Sequence, residues 1–393
     1  MNPIPIVQTQ IPPDVIDLGL GNPPLSLLPL ELIRDSAQNT LSQNDNSFLQ
    51  YGTEQGDGYF RVALSNFLSA GYGSPVDPQS LFTTTGISNT LDLLCTFFTQ
   101  PGDTVFVEEP SYFLALRIFA DHGLNVISIE TDENGLIPAS LEEKLTGSVP
   151  KFLYLIPTFQ NPTGHTLSQE RREQVLRLAE KHNFLIAADE VYQLLNYSQQ
   201  PPKPFSAYVD AGAENTITLG SFSKILAPGL RLGWMQAHAN VIKRFANSGL
   251  MDSGGGLNPF TSAMMRGVIE SGGLGKNIGA LKAYYVDQIQ AMDEALRRHL
   301  PEAKYAIPHG GYFFWLQFPD EIDVGELRKK ASAFKVDFRQ GALFSSNGGL
   351  KNYMRLCFVY YEAEKIKEGI ARISECLRVL LTAKYAKSAK KTF

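Results

Sequence analysis

Apolar positions along the chain fall into two rhythms. From residue 81 to about 234, short runs rich in Val, Ile, Leu and Phe alternate with stretches whose apolar residues recur every three or four positions. The runs predict strands over 81–84, 104–108, 126–129, 152–156, 184–189 and 216–220. The longer rhythm predicts helices over 89–98, 112–122, 140–145, 170–182 and 241–248. Such alternation implies an α/β fold, a mostly parallel sheet covered by helices on both faces. The pattern breaks near 273–279. A long helix over 281–300 follows, then strand-like 311–318, a helix over 324–334, strand-like 353–358 and a last helix over 363–381. That half reads as a smaller α+β domain. At the other end, prolines at 3, 5, 12, 13, 23, 24 and 29 forbid regular helix or central strand, so the first 29 residues read as an extended arm. Helical spacing returns over 30–41, and a Gly-rich segment spans 51–58. The expected domains are an arm with the first helix (1–45) joining the small domain, a large domain (46–280) and a small C-terminal domain (281–393). The basic tail from Lys384 onward is expected to fray.

Composition narrows the class. Of 393 residues, 44% are apolar and 19% charged, enough to bury a large core and too apolar for disorder. A net charge of -5 argues against a general nucleic-acid binder. Cys95, Cys357 and Cys376 are too scattered for a disulfide framework or metal site and fit a reducing, cytoplasmic setting. No apolar run approaches the ~20 residues of a membrane span, and the N-terminus lacks the features of a signal peptide.

Five segments carry candidate chemistry. In Ser221-Phe-Ser-Lys224 and the following Gly-Leu-Arg231-Leu-Gly, a lysine stands directly after a predicted strand, among hydroxyls, an arginine and glycines. A single lysine is ordinarily a solvated side chain. Partly desolvated or near other cations, however, its amine can form a Schiff base, while Ser221 and Arg231 offer a phosphate a hydroxyl and a forked guanidinium. Schiff base plus phosphate clamp marks a pyridoxal phosphate site. Next, the apolar run 184–188 ends in Asp189, at the sheet edge where open α/β sheets bind ligands. It is either a helix cap or the partner of a protonated pyridine nitrogen. Tyr192, three residues on, and Asn161, in Asn-Pro-Thr-Gly164 after another strand, can both donate to the ring's phenolic oxygen, although Asn-Pro-x-Gly alone is only a turn signal. The turn Gly86-Ile87-Ser88 leads from a strand into a helix whose first amides favour phosphate, a weak signal by itself. Last, Tyr112 follows the next strand; by default it is a core residue, but its ring can stack on a pyridine.

In order, spacing and residue type, these segments resemble the fold-type I pyridoxal phosphate enzymes, specifically class I/II aminotransferases, over roughly residues 15–380. The arm Ile16-Asp-Leu-Gly-Leu-Gly21-Asn-Pro23 and the stretch Leu49-Gln-Tyr51-Gly are similar to the 2-aminoadipate and kynurenine aminotransferase-like subgroup. The resemblance implies an aspartate aminotransferase-like large domain of roughly seven strands and a homodimer with shared active sites. It casts Lys224 as the Schiff-base lysine and Asp189 as the pyridinium partner. Asn161 and Tyr192 fall on the phenolic oxygen and Tyr112 under the ring. Ser221, Arg231 and the Gly86–Ser88 turn fall on the phosphate, with Tyr51 reaching it from a neighbouring subunit. Gly21, Asn161 and Arg355 fall on the substrate, Arg355 holding its α-carboxylate. Taken alone, Arg355 is a surface salt bridge or, inside an apolar strand, a guanidinium that needs a buried anion.

The sequence departs from the family pattern twice. Ile87 stands where a polar residue is common, which removes one side-chain donor. The first 33 residues hold no Lys or Arg, so the arm offers no arginine to a distal carboxylate and strong dicarboxylate preference is not expected, unless an arginine from another segment, such as Arg266, replaces it. The implied reaction moves an amino group from an L-amino acid to a 2-oxo acid in two half-reactions, with Lys224 as anchor and base. Elimination at the β or γ carbon uses the same anchors, so the motifs leave it open. A cofactor-binding sensor is the alternative outside catalysis. Such proteins carry a DNA-binding domain first, and only about fifteen Pro-rich residues precede the matched region here. An α/β protein without cofactor requires all five segments to coincide by chance.

Overall fold

The computed structural model describes residues 8 and 10–389, which form two compact units. The larger comprises Pro23–Tyr284 with His309–Gly311. The smaller comprises Tyr285–Pro308 and the described parts of Met1–Asn22 and Tyr312–Phe393.

The larger unit is built on an eight-stranded sheet. Its order is Leu81–Thr84, Gly233–Ala237, Thr216–Ser221, Leu185–Asp189, Phe152–Leu155, Thr104–Glu109, Asn125–Asp132 and Gly135–Leu136. Neighbours from Thr216–Ser221 through Asn125–Asp132 are parallel. Phe152–Leu155 and Thr216–Ser221 are buried along their whole length, because helices cover both faces and a parallel strand so enclosed has no solvent side to keep polar. Leu153, Leu155, Ile186 and Phe106 pack with Leu141, Leu145 and Val175, the last three from helices Pro138–Leu145 and Gln169–His182.

Two antiparallel strands depart from the simple alternation. Gly135–Leu136 closes a short turn at one edge. Gly233–Ala237 is inserted between Thr216–Ser221 and Leu81–Thr84, antiparallel to both. Leu81–Thr84 therefore runs the same way as the parallel set. Two short helices, Ser206–Val209 and Gly249–Gly254, and two longer ones fall outside the sequence expectation. Gly58–Tyr72 starts at Asp57, whose carboxylate accepts from the Phe60 amide at 2.8 Å. Pro259–Glu270 starts with proline in its first turn. The first helix, Leu30–Leu41, was expected with the small domain. It lies instead in the larger unit, against Pro259–Glu270, where the Ser36 hydroxyl donates to the Met264 carbonyl at 2.5 Å and Gly267 leaves room for Ser36.

The smaller unit holds an antiparallel sheet of Phe313–Gln317, Tyr353–Cys357 and Arg339–Gln340. Helices Val324–Ala331 and Ala363–Ala389 also belong to it. Within the Pro-rich arm, Ile16–Asp17 pairs in parallel with Val336–Asp337 as a two-residue edge strand. The arm's residues 1–7 and 9 lie outside the described residues. The tail expected to fray is helical to Ala389, and 390–393 lie outside the described residues. Cys95, Cys357 and Cys376 are all buried. Among the described residues no helix is long and apolar enough to cross a membrane.

Candidate active site

The strand directions collect the candidate residues of the larger unit. Carboxyl ends of parallel neighbours share one edge. Asn161 follows Phe152–Leu155, Asp189 ends Leu185–Asp189, Ser221 ends Thr216–Ser221 and Tyr112 follows Thr104–Glu109. Antiparallel pairing brings the start of Gly233–Ala237 to the same edge. Gly233 lies opposite both Ser221 and Thr84, so Arg231 and the Gly86 turn arrive there too.

Gly86 caps helix Ile87–Phe98 with φ of 94°, a conformation natural to glycine. Its missing side chain matters as much: a Cβ there would stand 2.9 Å from an Arg231 guanidinium nitrogen. The guanidinium thus lies directly over the helix start. It donates to the Thr85 carbonyl at 3.1 Å and the Pro228 carbonyl at 3.2 Å. Arg231 itself is in the left-handed region, φ 46°, and its carbonyl accepts from the Asn258 amide. The first amides of the helix have no intrahelical acceptor. Ser88 is exposed and Ile87 half-buried. On the adjacent strand, the Ser221 and Ser223 hydroxyls are 2.9 Å apart, and Ser221 Oγ accepts from the Ser223 amide. A cluster of donors of this kind suits a phosphate.

Asp189 is buried at the edge of its strand. One carboxylate oxygen accepts from the Tyr154 hydroxyl at 3.0 Å and the other from the Val191 amide at 3.3 Å. Burial pushes its carboxyl up to about 6, opposed by these hydrogen bonds and by the positive charge of Lys224. A buried carboxylate in this state favours a cation against it. Lys224 is half-buried, while Asn161 and Tyr192 are buried. The ring of Tyr112 packs edge-on against Phe113.

Tyr154 and Glu108 are two residues the sequence did not single out. Tyr154 lies within an apolar strand and reads as core; its role emerges only once Leu185–Asp189 is known to be the neighbouring strand. Glu108 is fully buried in Thr104–Glu109. It accepts from the Ile156 amide at 2.8 Å, and burial pushes its carboxyl up to about 8. Its position, one residue before the end of an apolar strand like Asp189 in the next-but-one strand, is a signal that sequence reasoning can use.

Three candidates remain. Tyr51 is 80% exposed on the larger unit. In the smaller unit Arg355 lies buried in Tyr353–Cys357, its guanidinium 4.0 Å from the Phe313 ring centroid and 5.0 Å from that of Phe344. It donates to the Gly19 carbonyl at 2.7 Å. Gly21 abuts the same Phe313, where a Cβ would stand 2.9 Å from the ring. The Gly19 turn is held from the other side by Asp17, which accepts from the Gly19 amide and pairs with Arg339.

Comparison with known proteins identifies the family. Residues 13–373 match the family described as aminotransferase class I and II. An aromatic-amino-acid aminotransferase of Thermococcus litoralis is 36% identical over 93% of this chain and 88% of its own. Among solved structures, a kynurenine aminotransferase of Pyrococcus horikoshii, in complex with PMP, superimposes with a TM-score of 0.87 at 35% identity, covering 94% of this chain and 92% of its own. The α-aminoadipate aminotransferase of Thermus thermophilus, complexed with N-(5'-phosphopyridoxyl)-L-leucine, gives 0.85 at 29% identity, covering 94% of each. The chain therefore belongs to the class I and II aminotransferase family and is a transaminase with the fold of those enzymes.

Proposed function

We propose that the chain is a pyridoxal phosphate-dependent aminotransferase that moves an amino group from an L-amino acid with an apolar or aromatic side chain to a 2-oxo acid by a ping-pong mechanism. One observation carries the reading. A buried carboxylate, Asp189, lies under the influence of the Lys224 charge, at the same sheet edge as the donor cluster of Gly86, Ser221 and Arg231. Those groups fit the cofactor by chemistry: an acceptor for a protonated ring nitrogen, an amine for its aldehyde and a cradle for its phosphate. Bound there, pyridoxal phosphate supplies an electron sink for the charge left at the substrate's α carbon.

The chain's own residues do the rest. Arg231, Ser221 and the first amides of helix Ile87–Phe98 would hold its phosphate. Asp189 would face its ring nitrogen as a carboxylate, with Tyr154 steadying that charge. Asn161 and Tyr192 would donate to its phenolic oxygen, and Tyr112 would supply a ring to stack on it. Lys224 would hold its aldehyde through Nζ and, when free, would accept the substrate's α proton there. Arg355, pre-ordered between Phe313 and Phe344, binds the substrate α-carboxylate beside Gly21. The named relatives are aminotransferases, which supports transamination over the eliminations that the same anchors can serve.

The working unit is a homodimer in this reading. Leu25, Leu30, Leu49, Tyr51 and Tyr59 of the larger unit are all more than half exposed, an apolar surface that a second copy would cover, with Tyr51 reaching the partner's phosphate. That the three cysteines are few, buried and scattered along the chain supports a reducing, cytoplasmic setting.

Borohydride reduction of the yellow holoenzyme followed by peptide mapping tests the assignment. The pyridoxyl group is expected on Lys224, and Lys224→Ala is expected to lose turnover by about 10²-fold or more. A label on any other lysine refutes it.

A further inference from the structure

Two loops leave the sheet edge side by side, one carrying Tyr112 and the other Asn161. Their mutual placement converges on one side chain, Gln160. Its amide nitrogen donates to the Pro110 carbonyl at 2.7 Å and points to Glu108 Oε2 at 3.4 Å. Its amide oxygen accepts from both the Thr163 amide and the Thr163 hydroxyl at 2.9 Å. Its backbone closes the turn around Asn161: the Gln160 amide donates to the His165 carbonyl at 2.9 Å, and the Gly164 amide donates to the Gln160 carbonyl at 2.7 Å. Glu108 Oε2 also accepts from Ile156, so one carboxyl oxygen ties the end of one strand to the loop of the next. Both side chains are buried, where an alternative arrangement would leave polar groups unmade.

We propose that Gln160, seated on Glu108, is a positioning residue that sets the Asn161 and Tyr112 loops relative to each other and to Asp189. The inference rests on the reading above, in which Asn161 meets the cofactor's phenolic oxygen. A glutamine that only satisfied loop backbone would hold its donors as well, but it would not influence what Asn161 does.

The pH midpoint of the holoenzyme's visible absorbance band distinguishes the two, because a donor to an oxyanion lowers the pKa of that group. Asn161→Ala is expected to raise the midpoint by about one unit and Gln160→Ala by about half a unit or more. Because Gln160 acts through Asn161, the double variant should move no further than Asn161→Ala alone. Cofactor affinity of the cofactor-free chain, read by fluorescence titration, should follow the same order. Thermal unfolding of the cofactor-free variants shows whether each folds; Gln160→Leu, close in volume, replaces Gln160→Ala if that variant does not. Glu108→Gln keeps the accepting oxygen and should retain the wild-type midpoint, whereas Glu108→Ala should shift it as Gln160→Ala does.

A Gln160 variant that melts earlier yet keeps the wild-type midpoint, while Asn161→Ala shifts it, overturns the positioning role alone. An additive double variant overturns it as well. An Asn161→Ala enzyme with an unchanged midpoint sinks the reading of the site, and the positioning role with it.

Discussion

Replacing Tyr154 with phenylalanine removes one hydroxyl from the floor of the site and leaves the packing intact. Tyr154 and Asp189 are both buried, so water cannot readily take the hydroxyl's place. Asp189 keeps only the 3.3 Å bond from Val191. A hydrogen bond to a charged group is worth about 1.5–3 kcal/mol. At about 1.4 kcal/mol per pKa unit, the Asp189 carboxyl should rise by about one to two units, from about 6 in the cofactor-free chain. A neutral Asp189 gives the ring nitrogen no counter-charge. Affinity for pyridoxal phosphate should therefore weaken as pH falls through the Asp189 pKa, and the weakening should begin about one to two units higher in Tyr154→Phe. The assay is fluorescence titration of the cofactor-free proteins across pH 5 to 9, a range chosen to span about two units around that pKa. The cofactor's own ionisations are common to both proteins and cancel in the comparison. Profiles that superimpose within about 0.3 unit would show that Tyr154 does not support the Asp189 charge.

Gly86→Ala should lower affinity for pyridoxal phosphate by about tenfold while leaving affinity for pyridoxal nearly unchanged, because the new methyl crowds Arg231 and a positive φ adds strain of about 1–3 kcal/mol; equal losses for both ligands would place the phosphate elsewhere. Leucine, methionine, phenylalanine and tyrosine should exceed aspartate, glutamate and 2-aminoadipate in kcat/KM with one common acceptor. Arg266, a candidate distal partner, is already engaged with Glu270 and the Tyr59 ring; a tenfold lead for any dicarboxylate, about 1.4 kcal/mol, would contradict the apolar reading of the arm. Sedimentation at assay concentration should give twice the 43.4 kDa of the chain, and a fully active monomer would count against shared sites.

Phe152–Leu155 and Leu185–Asp189 were legible because burial on both faces makes each a nearly unbroken apolar run, and Asp189 stood out as the charge that ends one. Less legible was what depends on partners distant in sequence. Gly233–Ala237 contains a glycine and a fully buried Gln236, whose amide donates to Ser206 and Asp210 from neighbouring structure. Nothing local marks it as a strand. The long helix was expected to start at 281, since glycines at 273, 275 and 279 each cost a helix about 1 kcal/mol. It starts at Gly273 because Leu274, Ile278 and Leu281 continue one buried stripe across those glycines. Gly58–Tyr72 was missed for a related reason: Gly58, Tyr59, Phe60 and Val62 are weak helix formers, and burial of Phe60, Leu64 and Leu68 offsets them. At the candidate site, the sequence singles out residues with chemistry of their own, while Tyr154 and Glu108, which work through neighbours, resemble ordinary strand residues.

The three buried thiols have a practical consequence. Cys95 lies in the larger unit, and Cys357 and Cys376 lie in the smaller. Each must be uncovered before an alkylating reagent can reach it, so its labelling rate under native conditions measures how often its surroundings open. Mass spectrometry of the three peptides would follow the two units separately in one unmodified chain, with no engineered probe. Labelling in the presence and absence of cofactor would then show how far ligand binding in the larger unit slows the fluctuations of each.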